Sequence, residues 1–185
     1  MDAFEAITKR RSVRSYLEDP IPRSVLERIL EAGRLAPSAM NLQPWHFIVV
    51  TDKEKQRALS TGRFARFLSE APVVIVGCGN ERLSPKWYAI DTAIALQNMV
   101  IAATNEGLGS CWIGSFDEME VKKLLKVPEG YRVIAMLALG YPREGKDLIG
   151  KIISKVRAKK RLNEIVSAEE FGISLNIKND LTQQP

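Results

Sequence analysis

A long apolar stretch from Trp87 to Asn105 constrains the fold of this chain more than any other feature of the sequence. Its apolar residues recur at helical spacing and surround nearly the whole predicted helix: Ile90, Ala93, Ile94, Met99, Val100, Ile101 and Ala103. A helix that is apolar nearly all round is buried in a core rather than laid across a surface. No stretch of the chain approaches the roughly 20 consecutive apolar residues that a membrane span requires. We therefore expect this helix to run through the core of a globular protein that has no membrane partner.

Helical and strand patterns alternate along the rest of the chain. Apolar and charged residues at helical spacing predict a helix after Pro22 that ends before Pro37. Further helices are predicted within Asp52 to Ser69 and from about Asp117 to Leu125, with Asp117 as the N-cap. The remaining apolar runs predict strands over Trp45 to Thr51, Val73 to Val76 and Arg132 to Leu139, with Cys111 to Gly114 as a strand or a loop. Strands mixed with helices in this way predict an α+β or α/β sandwich.

The length and the cysteine content favour one domain in a reducing compartment. A chain of 185 residues fits a single domain over residues 1–185, and the sequence shows no internal repeat or boundary. The start of the chain lacks the layout of a secretory signal. Cys78 and Cys111 both lie in apolar surroundings, which is typical of reduced core thiols in a cytoplasmic protein.

The charge is positive and unevenly distributed. The net charge is +5, and the segment from Lys146 to Arg161 holds seven Lys and Arg residues against Asp147 alone. Such a run is either a solvated face or an anion-binding surface. No zinc-finger spacing or aromatic-rich strand accompanies the charge, so we expect no nucleic-acid partner.

The common catalytic motifs are missing or incomplete. Trp112 stands where a dinucleotide fingerprint that starts at Gly107 needs its third glycine. The segment from Gly140 to Lys146 matches a P-loop, but Asp147 replaces the hydroxyl residue that holds magnesium. His46 is the single histidine, which excludes histidine-rich metal sites and gives the cysteines little help as nucleophiles. If the protein is an enzyme, a cofactor therefore carries the chemistry.

Two polar clusters near the N-terminus suit a phosphorylated cofactor. Arg10, Arg11, Ser12 and Arg14 gather three guanidinium groups and a hydroxyl within five residues, and arginine forks match phosphate oxygens. A helical turn would place Arg10 and Arg14 on one face. The alternative is a solvated basic helix end. The second cluster, from Pro37 to Trp45, offers amide and hydroxyl groups just before the start of a strand, where they could bind a planar, hydrogen-bonding ring.

In this order and spacing, five blocks of the sequence resemble the nitroreductase family of FMN-dependent α+β flavoproteins. The blocks are Arg10 to Arg14, Ala36 to Trp45, Asp91 to Asn98, Gly107 to Gly114 and Leu139 to Pro142. The resemblance covers nearly the whole chain. It implies a three-layer α/β/α sandwich with a mostly antiparallel central sheet. It also implies a homodimer, with FMN at the subunit interface and a C-terminal tail that exchanges with the partner.

The resemblance also implies which residues bind FMN. Arg10, Arg11, Ser12 and Arg14 would hold the phosphate and the pyrimidine side of the ring. A loop would reach the flavin from the other subunit through Pro37, Ser38, Ala39, Met40, Asn41 and Gln43. Trp112, Ile113 and Gly114 would pass beside the isoalloxazine, and the late basic pair Lys159 and Lys160 would return to the phosphate. No protein side chain is expected to act as the catalytic group, and no metal is expected.

By the same resemblance, the protein is expected to be an NAD(P)H-dependent oxidoreductase. NAD(P)H would pass a hydride to flavin N5, leave, and be replaced by a nitroaromatic, a quinone or an activated alkene in a ping-pong cycle. Two alternatives stay open: a protein that stores, senses or degrades flavin, and a P-loop-like nucleotide-binding protein. Phe64, Phe67, Trp87 and Tyr88 are candidates for the substrate face.

Overall fold

A computed structural model describes residues 1–60, 66–143 and 159–175 of the chain. The chain divides into two compact units, Met1–Gly150 and Lys151–Pro185. The expectation of one domain over residues 1–185 stays a prediction. The first unit contains the helices α1 (Ala3–Lys9), α2 (Arg23–Arg34), α3 (Lys53–Leu59), α4 (Tyr88–Asn105) and α5 (Glu118–Leu125). Its strands are β1 (Trp45–Val50), β2 (Val73–Asn80), β3 (Gly109–Ile113) and β4 (Tyr131–Gly140).

The four strands form one antiparallel sheet in the order β1-β2-β4-β3. The central strand β2 is a nearly continuous apolar run whose residues are buried along almost its whole length. Strand β4 is paired on both sides and is buried over Ala135–Gly140. These two strands therefore form the middle of the core, and β1 and β3 lie at its edges.

Helices cover both faces of the sheet, and each face has its own apolar core. On one face, Leu96 and Met99 of α4 and Ile29 of α2 pack against Ile75 and Leu137. On the other face, residues of α3 and α5, including Leu59 and Val121, pack with alternate sheet residues such as Val74, Val76 and Met136. The α+β, three-layer α/β/α arrangement is confirmed.

Close approach of α4 to the sheet depends on glycines in β2. A Cβ atom added at Gly77 would lie 2.6 Å from Leu96 Cδ1, and one at Gly79 would lie 2.9 Å from Thr92 Oγ1. Since such distances are too short for real Cβ atoms, the glycines allow the helix to lie this close to the strand.

Helix α4 is confirmed, but the expectation that it is enclosed on all sides is wrong for one face. Leu96, Met99 and Val100 are fully buried. Trp87, just before the helix, and Ile90 are each 50% exposed, and Ile94 is 37% exposed. The sequence pattern of a helix that is apolar on all sides is the same whether its outer face is covered by its own chain or by another surface. We call Trp87, Ile90 and Ile94 the α4 stripe.

The described part of the second unit is short and carries exposed apolar residues. It contains a 3₁₀ turn at Leu162–Glu164 and an isolated bridge between Ser167 and Ser174. Phe171 lies in the turn between the bridged residues and is fully exposed. Exchange of this tail with a partner chain stays a prediction. None of the helices in the described residues combines the length and apolar character that a bilayer span needs.

Candidate functional site

The arginine cluster lies on extended backbone that flanks the sheet. Helix α1 begins after the cap Asp2, whose carboxylate accepts a hydrogen bond from the Glu5 amide at 2.7 Å, and it ends at Lys9. Beyond it, Ser12 forms a parallel bridge with Ser110 of β3, and the Val13 N–H donates to the Ser110 carbonyl at 2.9 Å. The segment therefore extends the edge of the sheet beside β3.

This geometry corrects the idea of a helical turn that brings Arg10 and Arg14 to one face. In extended backbone, alternate residues lie on the same side. Val13 packs against the apolar core, so we expect Arg10, Ser12 and Arg14 to share the opposite side. The four-residue spacing places both arginines together in either conformation, but only the extended one also aligns them with Ser12.

The three arginines have no carboxylate partner within residues 1–60, 66–143 and 159–175. Arg10 and Arg14 are half-buried, and Arg11 is exposed. By contrast, Arg28, Arg34 and Arg132 each form a bidentate bond with a glutamate. Guanidinium groups that are held on a sheet edge without counter-ions are suited to receive an anion.

The C-terminal end of β3 presents an open backbone surface. Trp112 is 37% exposed, whereas the Ile113 side chain is buried in the core at 3% exposure. At Gly114, an added Cβ would meet no atom within 4 Å. A planar ligand can therefore approach the backbone at Gly114, and we expect Ile113 to contribute its backbone rather than its side chain.

The Pro37–Gln43 loop has an unusual backbone conformation. Met40, Asn41 and Gln43 have φ values of 52°, 55° and 48°. L-residues rarely adopt this left-handed region. The Ser38 hydroxyl oxygen accepts a hydrogen bond from the Gln43 amide at 2.9 Å, and Met40 is 91% exposed at the tip. The loop thus presents polar groups and a long apolar side chain outward.

The loop lies over the start of α4, where sequence reasoning missed a functional candidate. Pro37, Ser38 and Ala39 line an open groove of about 270 Å³ with the α4 stripe and Asp91. Both carboxylate oxygens of Asp91 accept from the Ala39 N–H at 3.3 Å. Two signals in the sequence concern Asp91: an acidic residue interrupts an otherwise apolar helix, and it begins one of the five blocks on which the family resemblance rests.

The structure brings the arginine segment to β3 and the loop to α4, but it does not join these two clusters. Within the described residues, no hydrogen bond or ion pair links 10–14 to 37–43. Lys159 and Lys160 are exposed in the second unit, and their role at a phosphate stays a prediction. Phe64 and much of the basic run from Lys146 to Arg161 lie outside the described residues.

The P-loop alternative finds no support in the part of the motif that the structure describes. Gly140 is packed so tightly that an added Cβ would lie 2.5 Å from Pro72 Cδ. The next residues pair with the segment that follows the arginines, since Leu17 N–H donates to the Tyr141 carbonyl and Arg143 N–H to the Ser15 carbonyl. These groups are committed to the sheet edge. Gly145 and Lys146 lie outside the described residues.

The described thiols and the imidazole do not form a nucleophilic or metal site. Cys78 and Cys111 are both buried and form no disulfide with each other, and burial raises the pKa of the Cys78 thiol to about 11. His46 is exposed, and its ring lies edge to face with that of Tyr131, with 6.2 Å between the ring centroids. No cluster of three or more potential metal ligands occurs in the described ranges.

Comparison with known proteins agrees with this arrangement. The profile of the nitroreductase family matches residues 7–66 and 59–141. A protein of Archaeoglobus fulgidus, named as an NADH dehydrogenase/NAD(P)H nitroreductase, is 38% identical over 154 residues, which cover 79% of this chain and 88% of the relative. A protein of the same name from Methanothermobacter thermautotrophicus is 36% identical, with coverage of 78% and 79%.

A solved structure shows that the likeness extends to the fold. The FMN-dependent nitroreductase from Clostridium difficile superposes with a TM-score of 0.78 at 32% identity, over 91% of this chain and 99% of that one. The profile match covers the arginine segment, the loop and β3. The chain belongs to the nitroreductase family.

Proposed function

We propose that this protein is an FMN-dependent oxidoreductase that moves two electrons from NAD(P)H to a small oxidised acceptor, such as a nitroaromatic, a quinone or an activated alkene. Membership of the nitroreductase family makes the chain an NAD(P)H-dependent oxidoreductase. The observation that carries the proposal is the group of three arginines that have no carboxylate partner among the described residues, on the segment that bridges to β3 at Ser110.

The described residues fit the chemistry of FMN. Arg10, Arg11 and Arg14 would hold the phosphate, with the Ser12 hydroxyl as a further donor. Each charge-assisted hydrogen bond would contribute about 1.5–3 kcal/mol before the cost of desolvation. The open backbone at Gly114 leaves room for a flat ring, which Trp112 would flank.

When bound, FMN supplies a ring that accepts and donates a hydride at N5. The chain binds and orients that ring. Arg10, Arg11, Ser12 and Arg14 would hold the pyrimidine side of the ring as well as the phosphate, and such preorganised donors would stabilise negative charge on that side. No described side chain needs to supply an acid or a base. Ala39, Met40, Asn41 and Gln43 would reach the ring from the second subunit.

We also propose a homodimer with the flavin at its interface, and the α4 stripe supports it. Trp87, Ile90 and Ile94 follow helical spacing of three and four, which is the spacing of a packed helix seam. Phe4 and Ile7 of α1, which packs on α4, are 75% and 53% exposed. Large apolar patches on a protomer surface typically mark protein interfaces.

The exchange of the C-terminal tail is proposed on similar grounds. Four large apolar side chains in the described part of the second unit are exposed: Leu162 at 58%, Ile165 at 63%, Phe171 at 104% and Ile173 at 54%. A fully exposed phenylalanine gains by burial against another surface. A partner subunit offers that surface.

Reconstitution with flavin tests the proposed function. The full chain is mixed with FMN, gel-filtered to remove free flavin, and assayed for NADH and NADPH oxidation with nitro compounds, quinones and enones. We expect bound FMN in a one-to-one ratio with protomer and turnover that requires an acceptor. Protein that does not retain FMN would reject the proposal. Protein that retains FMN but oxidises neither nucleotide would indicate a flavin store or sensor instead.

A further inference from the structure

The Pro37–Gln43 loop holds a conformation that its own sequence does not favour. Met40, Asn41 and Gln43 all have positive φ, and none of them is glycine. Residues in sparsely populated backbone regions persist only when their surroundings hold them there, and they cluster at ligand-binding sites. The groups that restrain this loop are therefore of functional interest.

Most restraints of the loop are internal, and one comes from outside. Within the loop, the Asn41 amide donates to the Ser38 carbonyl at 3.0 Å and the Leu42 amide to the Ala39 carbonyl at 3.1 Å. In the described parts of the chain, Asp91 is the one residue beyond the loop that hydrogen-bonds to residues 38–43. Both its carboxylate oxygens lie 3.3 Å from the Ala39 nitrogen. This contact joins two segments that are 52 residues apart.

Asp91 is itself an unusual residue for its position. It is 3% exposed, and no cation within the described ranges forms an ion pair with it. Its neighbours in the groove include Trp87, Ile90 and Ile94. Burial of a carboxylate among apolar groups costs free energy unless it makes compensating contacts. Asp91 lies near the N-terminus of α4, where the helix dipole favours a negative charge, and the Ala39 amide supplies the contact.

We propose that Asp91 is a positioning residue for the cofactor loop. By accepting the Ala39 N–H, it fixes the start of the loop against α4 and keeps Met40, Asn41 and Gln43 in the left-handed conformation that presents them outward. Asp91 acts through the loop and does not itself contact the flavin. The proposal rests on the proposed function, because it takes the loop to be part of a flavin site.

The test uses the full chain with Asp91→Ala and Asp91→Asn. Without FMN, hydrogen–deuterium exchange measures the amides of residues 38–43. With FMN, titration by fluorescence quenching measures its Kd. Loss of a hydrogen bond to a charged group is expected to raise the Kd of Asp91→Ala about 10- to 100-fold and to speed exchange in the loop. Asp91→Asn keeps an oxygen for the Ala39 N–H, so its Kd is expected to stay within about fivefold of the unsubstituted protein.

Asp52→Ala is the matched control. The Asp52 carboxylate also accepts a backbone N–H, from Lys55 at 2.9 Å, but it caps α3 on the other face of the sheet. This variant is expected to lose stability and to keep its FMN affinity and its loop exchange.

Two results would overturn the proposal. One is an Asp91→Ala protein with the FMN affinity and loop exchange of the unsubstituted chain. The other is an Asp91→Asn protein as impaired as Asp91→Ala, which would mean that the acceptor oxygen is not what matters. If Asp91→Ala does not fold, Asp91→Leu takes its place, since it also removes the acceptor oxygens but fills the space of the side chain. Failure of the unsubstituted chain to bind FMN would reject the proposed function, whereas unchanged loop exchange in the variant without the acceptor oxygens rejects only the role of Asp91.

Discussion

The backbone N–H of Val13 donates to the carbonyl oxygen of Ser110 at 2.9 Å, and this bond attaches the arginine segment to strand β3. The side chain of Val13 strengthens this attachment, since it packs against Gly109 and against the apolar core. The phosphate-binding candidates and the backbone at Gly114 are thus parts of one sheet edge. A change in the packing of Val13 is expected to move the arginines relative to β3.

Gly109→Ala tests this coupling. An added Cβ would lie 2.7 Å from Val13 Cγ2 and 2.8 Å from Val13 Cβ, so the segment must shift. Overpacking of this kind costs about 1–3 kcal/mol of unfolding free energy. We expect a lower urea midpoint together with weaker FMN binding. Gly114→Ala is the control for stability, since its Cβ would meet nothing within 4 Å, and a similar loss of stability there would contradict the packing argument.

Arg10→Ala and Arg14→Ala test the phosphate assignment. Each variant is expected to raise the Kd for FMN about 10- to 100-fold, because a charge-assisted hydrogen bond is lost. Riboflavin lacks the phosphate, so its Kd should change little. Arg23→Ala removes the same charge from an exposed pair with Glu27 on α2 and should leave both affinities unchanged. Equal losses for FMN and riboflavin would show that these arginines do not bind the phosphate.

The sequence predicted the elements of the fold because burial leaves a local pattern. The apolar run at Val73–Val76, the helix before Pro37 and the Asp117 cap each depend on neighbouring residues, and the structure confirms all three. The sequence could not separate a helix enclosed by its own chain from one with an outer apolar face. Ile90 and Ile94 fit the apolar helical pattern equally well whether their own chain or another surface covers them.

Local sequence patterns could not predict contacts between residues that are far apart in the chain. The spacing of Arg10 and Arg14 fits a helix or extended backbone, and the choice depends on pairing with Ser110 far along the chain. The Ala39–Asp91 hydrogen bond likewise joins distant segments, and a single aspartate in a helix carries no sign of its partner. The resemblance supplied the candidate residues, but the geometry that relates them had to come from the structure.

The Glu118–Arg132 pair predicts acid sensitivity. The carboxylate of Glu118 accepts two bonds from Arg132 at 2.8 Å and one from the Val133 amide at 3.0 Å. The Arg132 guanidinium is the main cause that lowers the pKa of Glu118 below its ordinary value of 4.5. A depressed pKa in the folded state stabilises the protein above the unfolded pKa, and this contribution is lost as the pH falls through the folded value.

We therefore expect the urea midpoint to fall as the pH drops below about 4.5. In Glu118→Gln, the urea midpoint should depend less steeply on pH in this range. At pH 7 this variant should lose about 1–2 kcal/mol of unfolding free energy. Glu31→Gln removes an exposed pair with Arg34, which solvent screens, so the loss of unfolding free energy should be smaller than for Glu118→Gln. A Glu118→Gln protein with the full acid sensitivity of the unsubstituted chain would refute the link between this pair and pH.

Ile94→Asp tests whether the α4 stripe joins two subunits that share the flavin. Ile94 is 37% exposed in the protomer, so a charge there can be solvated without damage to the core, but burial of the same charge in an interface would be costly. We expect sedimentation to show a monomer with unchanged circular dichroism and a strongly reduced capacity to retain FMN. Met119→Asp places a charge on a 79% exposed apolar residue of α5 and should remain dimeric and yellow. An Ile94→Asp protein that stays dimeric would show that the α4 stripe is not part of the interface. A monomer that retains FMN fully would reject a flavin site shared between two subunits.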